Sequence, residues 1–392
     1  MKNLFRGKVF FNLNRMSTFQ SFFTASILLL SISCGNSESN EEKFRLDIPE
    51  EFNSQFVFSQ LIQPNFKIIP LELDQSAALM GTDKIVIKND LLFVGEPKIS
   101  RSLLIFDLRK NKEYHSPLEY GEGPEAFSQI NDFLVYEDQL MILDMVKQRI
   151  AIYDISADSL SLKTFLPIDF WAERFAYDGE YGYFKNAGGT EPLFTITDNT
   201  FKPIEMLGEK NAGHLLKPRN SFHQVTINGK ETILFHTSFD NVIYEANEGT
   251  ISPWKRLNFA SDNSNVDLEK IPIQTEFDIF YNQMKPFNSR FIVFEKSGDK
   301  SHFLLYSREE NPKVSVKSEN LDINVPFANI RNDVTFTSTI PLISGTHQDS
   351  YIAITSVDEI DQEAPDFKGS EVERLLKTNP ETEYFLLLFQ FK

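Results

Sequence analysis

Residues 83–96 read DKIVIKNDLLFVGE, and residues 131–144 repeat the same pattern as NDFLVYEDQLMILD. In each stretch, two short runs of apolar and β-branched residues flank a two-residue polar tip, Asn89-Asp90 or Glu137-Asp138. Such runs predict two strands joined by a tight turn. The same character continues in SLLIFDL and QRIAIYDI, so the chain is predicted to form hairpin after hairpin, in an antiparallel all-β fold.

The turn residues support this prediction further along the chain. Asp178-Gly179 and Asn228-Gly229 are dipeptides that tight hairpins favour, because both central residues of such a turn need positive φ. The chain is also rich in Phe, with 37 in 392 residues, and aromatic residues are enriched in strands.

Similar strand openings recur along the sequence at intervals of 48, 42, 48, 66 and 46 residues. The openings are Asp83, Asn131, Glu173, Ser221, Phe287 and Asp333. A repeat of roughly 40–50 residues that holds four strands is the period of a propeller blade. We therefore predict a six-bladed β-propeller of four-stranded antiparallel blades, with an insertion in residues 257–285 accounting for the longer fourth interval.

The two ends of the repeat region predict how the ring closes. The strand at 67–73 has no hairpin partner near it in sequence, and the strand at 384–391 follows an incomplete sixth repeat. Because an unpaired terminal blade leaves open edges, we expect these two strands to share one blade. Ser370 and Glu373 fit a capping box, which predicts one short helix between that box and Asn379-Pro380.

The N-terminus predicts export. Residues 1–33 contain four basic and no acidic side chains and include the apolar run FFTASILLLSIS, which is too short to span a bilayer comfortably. Cys34, the single cysteine of the chain, follows Leu30-Ser31-Ile32-Ser33 and precedes Gly35, an arrangement that resembles the bacterial lipoprotein box. We therefore predict a signal peptide at 1–33 and acylation of Cys34, with an idle thiol as the alternative.

The domain boundaries follow from composition. Residues 34–60 begin with the polar, acidic stretch GNSESNEE and are predicted to be a flexible tether after the lipidated cysteine, and residues 61–392 form the propeller. Acidic residues after such a cysteine also resemble signals that send some lipoproteins of Bacteroidota to the cell surface. The expected location is the outer membrane, with the propeller facing the periplasm or the cell surface. The net charge of −17 argues against nucleic acid as a partner.

From Phe66 to Lys392, the chain resembles the six-bladed β-propeller lipoproteins common in Bacteroidota. The resemblance rests on Ile69-Pro70-Leu71-Glu72, the hairpin from Ile85 to Val94, and the loop Gly121-Glu122-Gly123-Pro124 before Ile130-Asn131-Asp132-Phe133. In that family, the loop usually reads Gly-x-Gly-Pro-x-Glu-Phe/Tyr, whereas this chain has Glu125 one place early, and Ala126 before Phe127. We expect Gly121, Gly123 and Pro124 to keep the structural role of the loop.

The sequence offers little evidence of a reaction. Six histidines, at 115, 214, 223, 236, 302 and 347, form no zinc motif, and there is no nucleophile elbow, phosphate loop or calcium-binding EF-hand. No cofactor is predicted. A propeller nevertheless brings the inner ends of its blades around one axis, where acids at strand ends could bind a cation or act as an acid/base pair. The conceivable members are Asp132, Asp144, Asp154, Asp240 and Glu295.

Two functions from different classes remain open at this stage. The favoured one is a non-enzymatic module that binds an envelope protein or a carbohydrate, for which Tyr181, Tyr183, Phe235 and Trp171 are candidate stacking residues unless they pack between blades. The alternative is a hydrolase or lactonase in which axial acids hold one Ca²⁺ ion.

Overall fold

The computed structural model describes most of the chain after residue 44, and its strands all belong to one compact unit, Arg45–Lys392. The described residues are 45–48, 55–73, 79, 82, 84–96, 102–114, 118–156, 159–186, 192–208, 222–227, 230–236, 242–259, 289–296, 299–306, 313–317, 322–326, 329–341, 343–348 and 350–392.

Within the described residues, the regular elements are 27 strands and two α-helices. The strands are β1 (Arg45–Ile48), β2 (Phe56–Val57), β3 (Lys67–Leu71), β4 (Lys84–Lys88), β5 (Leu91–Glu96), β6 (Ser102–Asp107), β7 (Lys112–Glu113), β8 (Asp132–Tyr136), β9 (Gln139–Asp144), β10 (Arg149–Ile155), β11 (Leu160–Pro167), β12 (Ala172–Tyr177), β13 (Gly182–Asn186), β14 (Phe194–Thr197), β15 (Pro203–Leu207), β16 (Phe222–Ile227), β17 (Lys230–His236), β18 (Val242–Asn247), β19 (Thr250–Phe259), β20 (Ser289–Lys296), β21 (Asp299–Tyr306), β22 (Lys313–Lys317), β23 (Asp322–Pro326), β24 (Ile330–Arg331), β25 (Ile343–His347), β26 (Ser350–Ser356) and β27 (Tyr384–Phe389). The helices are α1 (Phe58–Leu61) and α2 (Glu371–Thr378), and a 3₁₀ turn covers Val357–Glu359.

Six sheets, each containing four antiparallel strands, confirm the predicted propeller architecture. Blades 1, 2 and 3 are β4–β7, β8–β11 and β12–β15; blades 4 and 5 are β16–β19 and β20–β23; blade 6 is β25, β26, β27 and β3. Blade 4 carries β1 as a fifth strand, parallel to β19. A separate two-stranded sheet joins β2 to β24.

The first strand of each blade lies nearest the centre. Strand β4 lies beside β8, β8 beside β12, β12 beside β16, β16 beside β20, and β25 beside β4. The tight tip that follows the inner strand of blade 1 has the expected geometry, with φ of 51° at Asn89 and 60° at Asp90. In the tip of blade 2, Glu137 has a positive φ, of 50°, but Asp138 does not.

The core is divided among the interfaces between neighbouring blades. Phe93 and Phe133 pack together between blades 1 and 2, and Leu143 and Phe175 between blades 2 and 3. Phe194 and Phe235 pack between blades 3 and 4, with ring centroids 4.9 Å apart. At these three interfaces, Phe residues therefore fill the wedge between neighbouring blades and stabilise their association.

Blade 6 closes the ring as the sequence predicts. Strand β27 pairs antiparallel with β3, placing Tyr384 opposite Leu71 and Leu387 opposite Ile68. Ile68 and Leu71 are buried, so β3 contributes to the core as well as to the sheet. The strand also reaches the next blade, because the Glu72 carboxylate lies 3.0 Å from the Lys112 ammonium.

Helix α2 packs against this closing blade. The Ser370 hydroxyl accepts from the Glu373 amide at 3.1 Å, and the Glu373 carboxylate in turn accepts from the Gly369 amide at 2.7 Å. The cap is the predicted one, with the return bond one residue earlier than in a standard capping box. Val372 is fully buried in the cluster that blade 6 shares with α1.

Two details differ from the sequence predictions. The sixth repeat does not open at Asp333, because its inner strand is β25, which starts at Ile343. The alternating segment before it folds instead around Asn332, whose side chain bonds to Thr335, Thr337 and the backbone amides of residues 334 and 335. The folded part also starts earlier than residue 61, since β1, β2 and α1 fall within the predicted tether. The predicted insertion at 257–285 lies outside the described residues after Phe259.

Candidate functional site

A cavity of about 110 Å³ lies on the propeller axis, between the inner strands of five blades. Strands β4, β8, β12, β16 and β25 contribute Lys84, Ile85, Val86, Leu134, Val135, Phe175, Ala176, Phe222, His223, Gln224, Ser344, Gly345 and Thr346. Small-molecule sites are commonly concave and mainly apolar with a few polar groups, and this cavity has that character. Among these described lining residues, none is an acid.

Close approach of blades 6 and 1 shapes one wall of the cavity. A side-chain carbon at Gly345 of β25 would collide with the backbone carbonyl of Ile85 in β4. Glycine therefore lets the two inner strands lie close together. Beside it, the hydroxyls of Ser344 and Thr82 are 3.3 Å apart across the same seam.

Asp132, the first predicted axial acid, ties three blades together just outside the cavity. Its carboxylate accepts from the Lys84 ammonium of blade 1 at 3.2 Å and from the Phe175 amide of blade 3 at 2.9 Å. It also accepts from the Phe133 amide at 2.9 Å. Because these bonds occupy both carboxylate oxygens, Asp132 and Lys84 form a buried clamp between inner strands.

A second polar link strengthens the same region. The guanidinium of Arg174 in blade 3 donates to the Asn131 carbonyl at 2.6 Å, immediately before β8. The neighbouring Glu173 accepts from the Lys185 ammonium at 3.1 Å. Arg174 thus joins the inner ends of blades 2 and 3 in addition to the apolar core, whereas the Glu173–Lys185 pair lies within blade 3.

Of the other predicted acids, Asp144 and Asp154 do not line the axial cavity. Asp144 is buried in blade 2 and accepts from the amides of Ser128 and Lys147, each at 3.2 Å. Asp154 is exposed and lies 3.4 Å from the Lys163 ammonium. Asp240 lies outside the described residues, and Glu295 lies in β20, where only the backbone is described. Within the described part of the chain, no group of three or more His, Cys, Asp or Glu residues is arranged to hold a metal ion.

Of the four candidate stacking aromatics, Trp171 remains well exposed. Tyr183 and Phe235 are fully buried and pack between blades, and Tyr181 is half-buried. Burial, followed by the hydrogen bond to Asp178, raises the pKa of Tyr183. Trp171 lies in the short loop from blade 2 to blade 3 and keeps 51% of its surface exposed.

The family loop around Gly121, Gly123 and Pro124 is held from below by two basic side chains of blade 2. The Lys147 ammonium donates to the carbonyls of Gly123, at 2.6 Å, and Ala126. The Arg149 guanidinium donates to the Pro124 carbonyl at 2.5 Å. The carbonyls of Gly123, Pro124 and Ala126 thus accept from basic side chains, and Gly121 has a φ of 146°, a conformation that favours glycine.

Arg149 is itself enclosed by aromatic rings. Its guanidinium carbon lies 3.9 Å from the Phe165 ring centroid and 5.7 Å from that of Phe127, the last residue of the loop motif. Such stacking favours a desolvated guanidinium. The displaced Glu125 is exposed, and its backbone carbonyl rather than its carboxylate faces Arg149, at 3.5 Å.

Sequence reasoning missed Lys84, Lys147 and Arg149 as organising residues. One signal was available, because Lys84 and Asp132 lie 48 residues apart, which is the first repeat interval. Opposite charges one repeat apart on inner strands become neighbours when the blades assemble. Cys34 lies outside the described residues. Among the described helices, none has the length and apolar character to cross a bilayer.

The fold and the central cavity together define a six-bladed propeller with a lined axial pocket. The sequence from residue 35 to residue 354 matches the model of the family DUF5128, described as a 6-bladed beta-propeller. The chain belongs to this family.

Solved structures share the fold. A proposed exported protein from Bacteroides fragilis has a TM-score of 0.66 at 16% identity, with 89% of this chain and 99% of that chain covered. A DUF4221-family protein from Bacteroides vulgatus has a TM-score of 0.48 at 10% identity, over 85% of this chain and 98% of that one. At 16% identity, the similarity to the Bacteroides fragilis protein shows a shared fold alone. A comparison with curated proteins returns no match.

Proposed function

We propose that this protein is a lipid-anchored binding module of the bacterial cell envelope, with no catalytic role. The anchor would be Cys34, which the lipoprotein-like sequence around it supports, and the propeller would face the periplasm or the cell surface from the outer membrane. Likeness in fold to a proposed exported protein is consistent with such a location.

The observation that carries the binding role is the axial cavity. Its walls are formed by apolar side chains such as Leu134, Phe175 and Phe222, while amide and hydroxyl groups of Gln224 and Thr346 interrupt them. Lys84, the one ammonium among the described lining residues, is already paired with Asp132. The chemistry therefore suits a small ligand with an apolar body and a hydrogen-bonding group, rather than a strongly charged one.

The calcium-centred hydrolase has no specific observation in its favour. Asp132 and Asp144 already accept hydrogen bonds from backbone amides and lie beside basic side chains, so both carboxylates have a structural role. Thermal unfolding of the purified 43–392 fragment with calcium and with chelator tests this directly. A melting temperature that rises until calcium reaches a stoichiometric amount would overturn the binding-module proposal and favour the calcium-centred hydrolase.

Ligand binding is best tested by a fragment screen monitored by ligand-observed NMR. Ala176 lines the cavity and is nearly buried, so Ala176→Leu should fill part of the space and weaken cavity-bound fragments at least tenfold. Ile204→Ala is the matched control, because Ile204 is exposed on the outer strand of blade 3. Fragments that bind Ala176→Leu as well as the wild type would show that the cavity is not the binding site.

The anchor has its own test in the full-length chain. We expect mass spectrometry of the membrane fraction to find the mature protein starting at an acylated Cys34. The Cys34→Ser variant should lose the lipid and remain unprocessed, whereas the propeller should still fold. A mature chain that starts elsewhere, or an unmodified Cys34, would contradict the anchoring proposal without affecting the cavity.

A further inference from the structure

Three large apolar side chains are half-exposed on neighbouring loops of blades 1 to 3. They are Tyr120, Val146 and Trp171, with 49%, 56% and 51% of their surfaces exposed. Single exposed apolar residues are ordinary on protein surfaces, but a group on adjoining loops marks an interaction site more often. We call this group the 120/146/171 patch.

The chain connectivity places these loops at one end of the sheets. Tyr120 precedes β8, Val146 lies in the turn from β9 to β10, and Trp171 lies directly before β12. The entry of an inner strand and the turn after the next strand lie at the same end of an antiparallel blade. Two bonds join the loops, from the Lys147 ammonium to the Gly123 carbonyl at 2.6 Å and from the Ile168 amide to the Gln148 carbonyl at 2.9 Å.

The patch is held in a fixed shape. The loop that carries Tyr120 is bound through its carbonyls by Lys147 and Arg149. The Tyr120 hydroxyl accepts from the Leu103 amide at 3.1 Å, and burial raises its pKa. Because the hydroxyl is turned inwards, the exposed half of Tyr120 is aromatic ring. A rigid surface loses little conformational entropy when a partner binds.

Acidic side chains surround the patch. Glu119, Glu122 and Glu125 are exposed in the Tyr120 loop, and Asp169 is exposed two residues before Trp171. The basic side chains closest in sequence, Lys147 and Arg149, turn towards the loop carbonyls beneath. The outer face of the patch thus combines negative charge with aromatic rings, which complements Arg or Lys through ion pairing and cation–π contact.

We propose that the 120/146/171 patch docks a positively charged protein segment that also carries apolar side chains. Trp and Tyr are the side chains that most often dominate binding energy at protein interfaces, and the acidic rim steers a basic partner towards them. Val146, which offers no stacking face, favours a polypeptide over a sugar chain as the occupant. The proposal does not depend on a ligand in the axial cavity.

Selection of displayed random peptides against the immobilised wild-type propeller tests the partner's chemistry. Selected sequences should be enriched at least twofold in Arg and Lys alongside apolar residues. A synthetic peptide from this set should bind at least tenfold more weakly to Trp171→Ala and to Tyr120→Ser, and more weakly as salt is raised. Neutral or acidic selected sequences would overturn the proposal.

Matched controls distinguish binding at the patch from non-specific hydrophobic binding and from effects of misfolding. Ile204→Ser and Met206→Ser remove exposed apolar side chains on β15, outside the patch, and should leave peptide binding unchanged. Glu122→Gln should weaken binding without altering the melting temperature, because Glu122 is exposed. If Trp171→Ala leaves the peptide affinity unaltered, or if a glycan array rather than peptides gives the Trp171-dependent signal, the protein-segment proposal is wrong.

Discussion

The seams between blades of the propeller are joined in two different ways. Between blades 1, 2 and 3, charged side chains join the inner strands, with Asp132 bound to Lys84 on one side and to the Phe175 amide on the other. Between blades 6 and 1, the inner strands approach through Gly345, and blade 6 is completed by pairing β3 with β27. Seams within the repeat are stabilised by side-chain chemistry, whereas the closing blade is stabilised by chain topology.

The largest effect is expected where the closing blade is broken. Leu71 is fully buried and its strand completes blade 6, so Leu71→Asp would bury an unpaired charge. We expect a loss of about 5 kcal/mol or more in the free energy of unfolding, measured by chemical denaturation. Ile204→Asp, on the exposed outer strand of blade 3, is the control and should change stability by less than about 0.5 kcal/mol. Equal effects of the two variants would show that β3 is not essential to closure.

The Asp132 clamp should come next. Asp132→Ala leaves the Lys84 ammonium without its carboxylate at a site where Lys84 is only 12% exposed, so we expect a loss of about 3–5 kcal/mol. Asp154→Ala, which removes an exposed ion pair with Lys163, should cost less than about 1 kcal/mol. A cost for Asp132→Ala as small as that of the control would mean that the clamp adds little to the other contacts between blades 1, 2 and 3.

Gly345→Ala should have a smaller effect on the blade 6 to blade 1 seam. The new methyl group meets the Ile85 carbonyl, so the strands must separate slightly, at a cost of about 1–3 kcal/mol. Gly123→Ala is the matched control, because the nearest atom to its added carbon is the Ala126 side chain at 3.7 Å, an ordinary contact. Thermal melts should give a lower melting temperature for Gly345→Ala than for Gly123→Ala. A melting temperature of Gly345→Ala equal to that of the wild type would show that the two strands can move apart without loss of stability.

The smallest effect concerns His347, at the end of β25 near the tip of blade 1. Burial lowers its pKa below the usual 6.5, outweighing a hydrogen bond with Ile87 and the charge of Asp90. The unfolded chain therefore binds the proton more readily, and stability falls as pH drops through 6.5. Between pH 7.5 and 5.5, the free energy of unfolding measured by chemical denaturation should fall less for His347→Gln than for the wild type. An identical pH dependence would contradict this assignment.

Much of the fold could be read from sequence because its determinants are local. Polar tips such as Asn89-Asp90 and alternating runs specify hairpins within a dozen residues. The two terminal strands lack local partners, which predicts that they pair with each other. The sixth repeat was misplaced because Thr and Phe alternate after Asn332 as they would in a strand, while the Asn332 side chain competes for the backbone amides.

The candidate site was harder to predict because its members are far apart in the chain. Asp132 is a conceivable cation ligand by its sequence, but its role as a clamp depends on Lys84 and on an amide 43 residues away. The cavity itself is bounded by ordinary strand residues, such as Val86 and Ala176, that no motif distinguishes. Only the assembled ring brings them to the wall of one cavity.

The pairing of β3 with β27 also constrains how the protein reaches its folded state. Tyr384 and Leu71 meet across more than 300 intervening residues, a contact of very high sequence separation. A chain that emerges from a ribosome or a translocation channel in N-to-C order can form individual hairpins early, yet it cannot close the ring until its last strand has emerged. Until then, β3 and the apolar face of the first blade lack their partners. The slow step of folding should therefore be the joining of the two ends, and a chaperone that shields β3 would act at that stage.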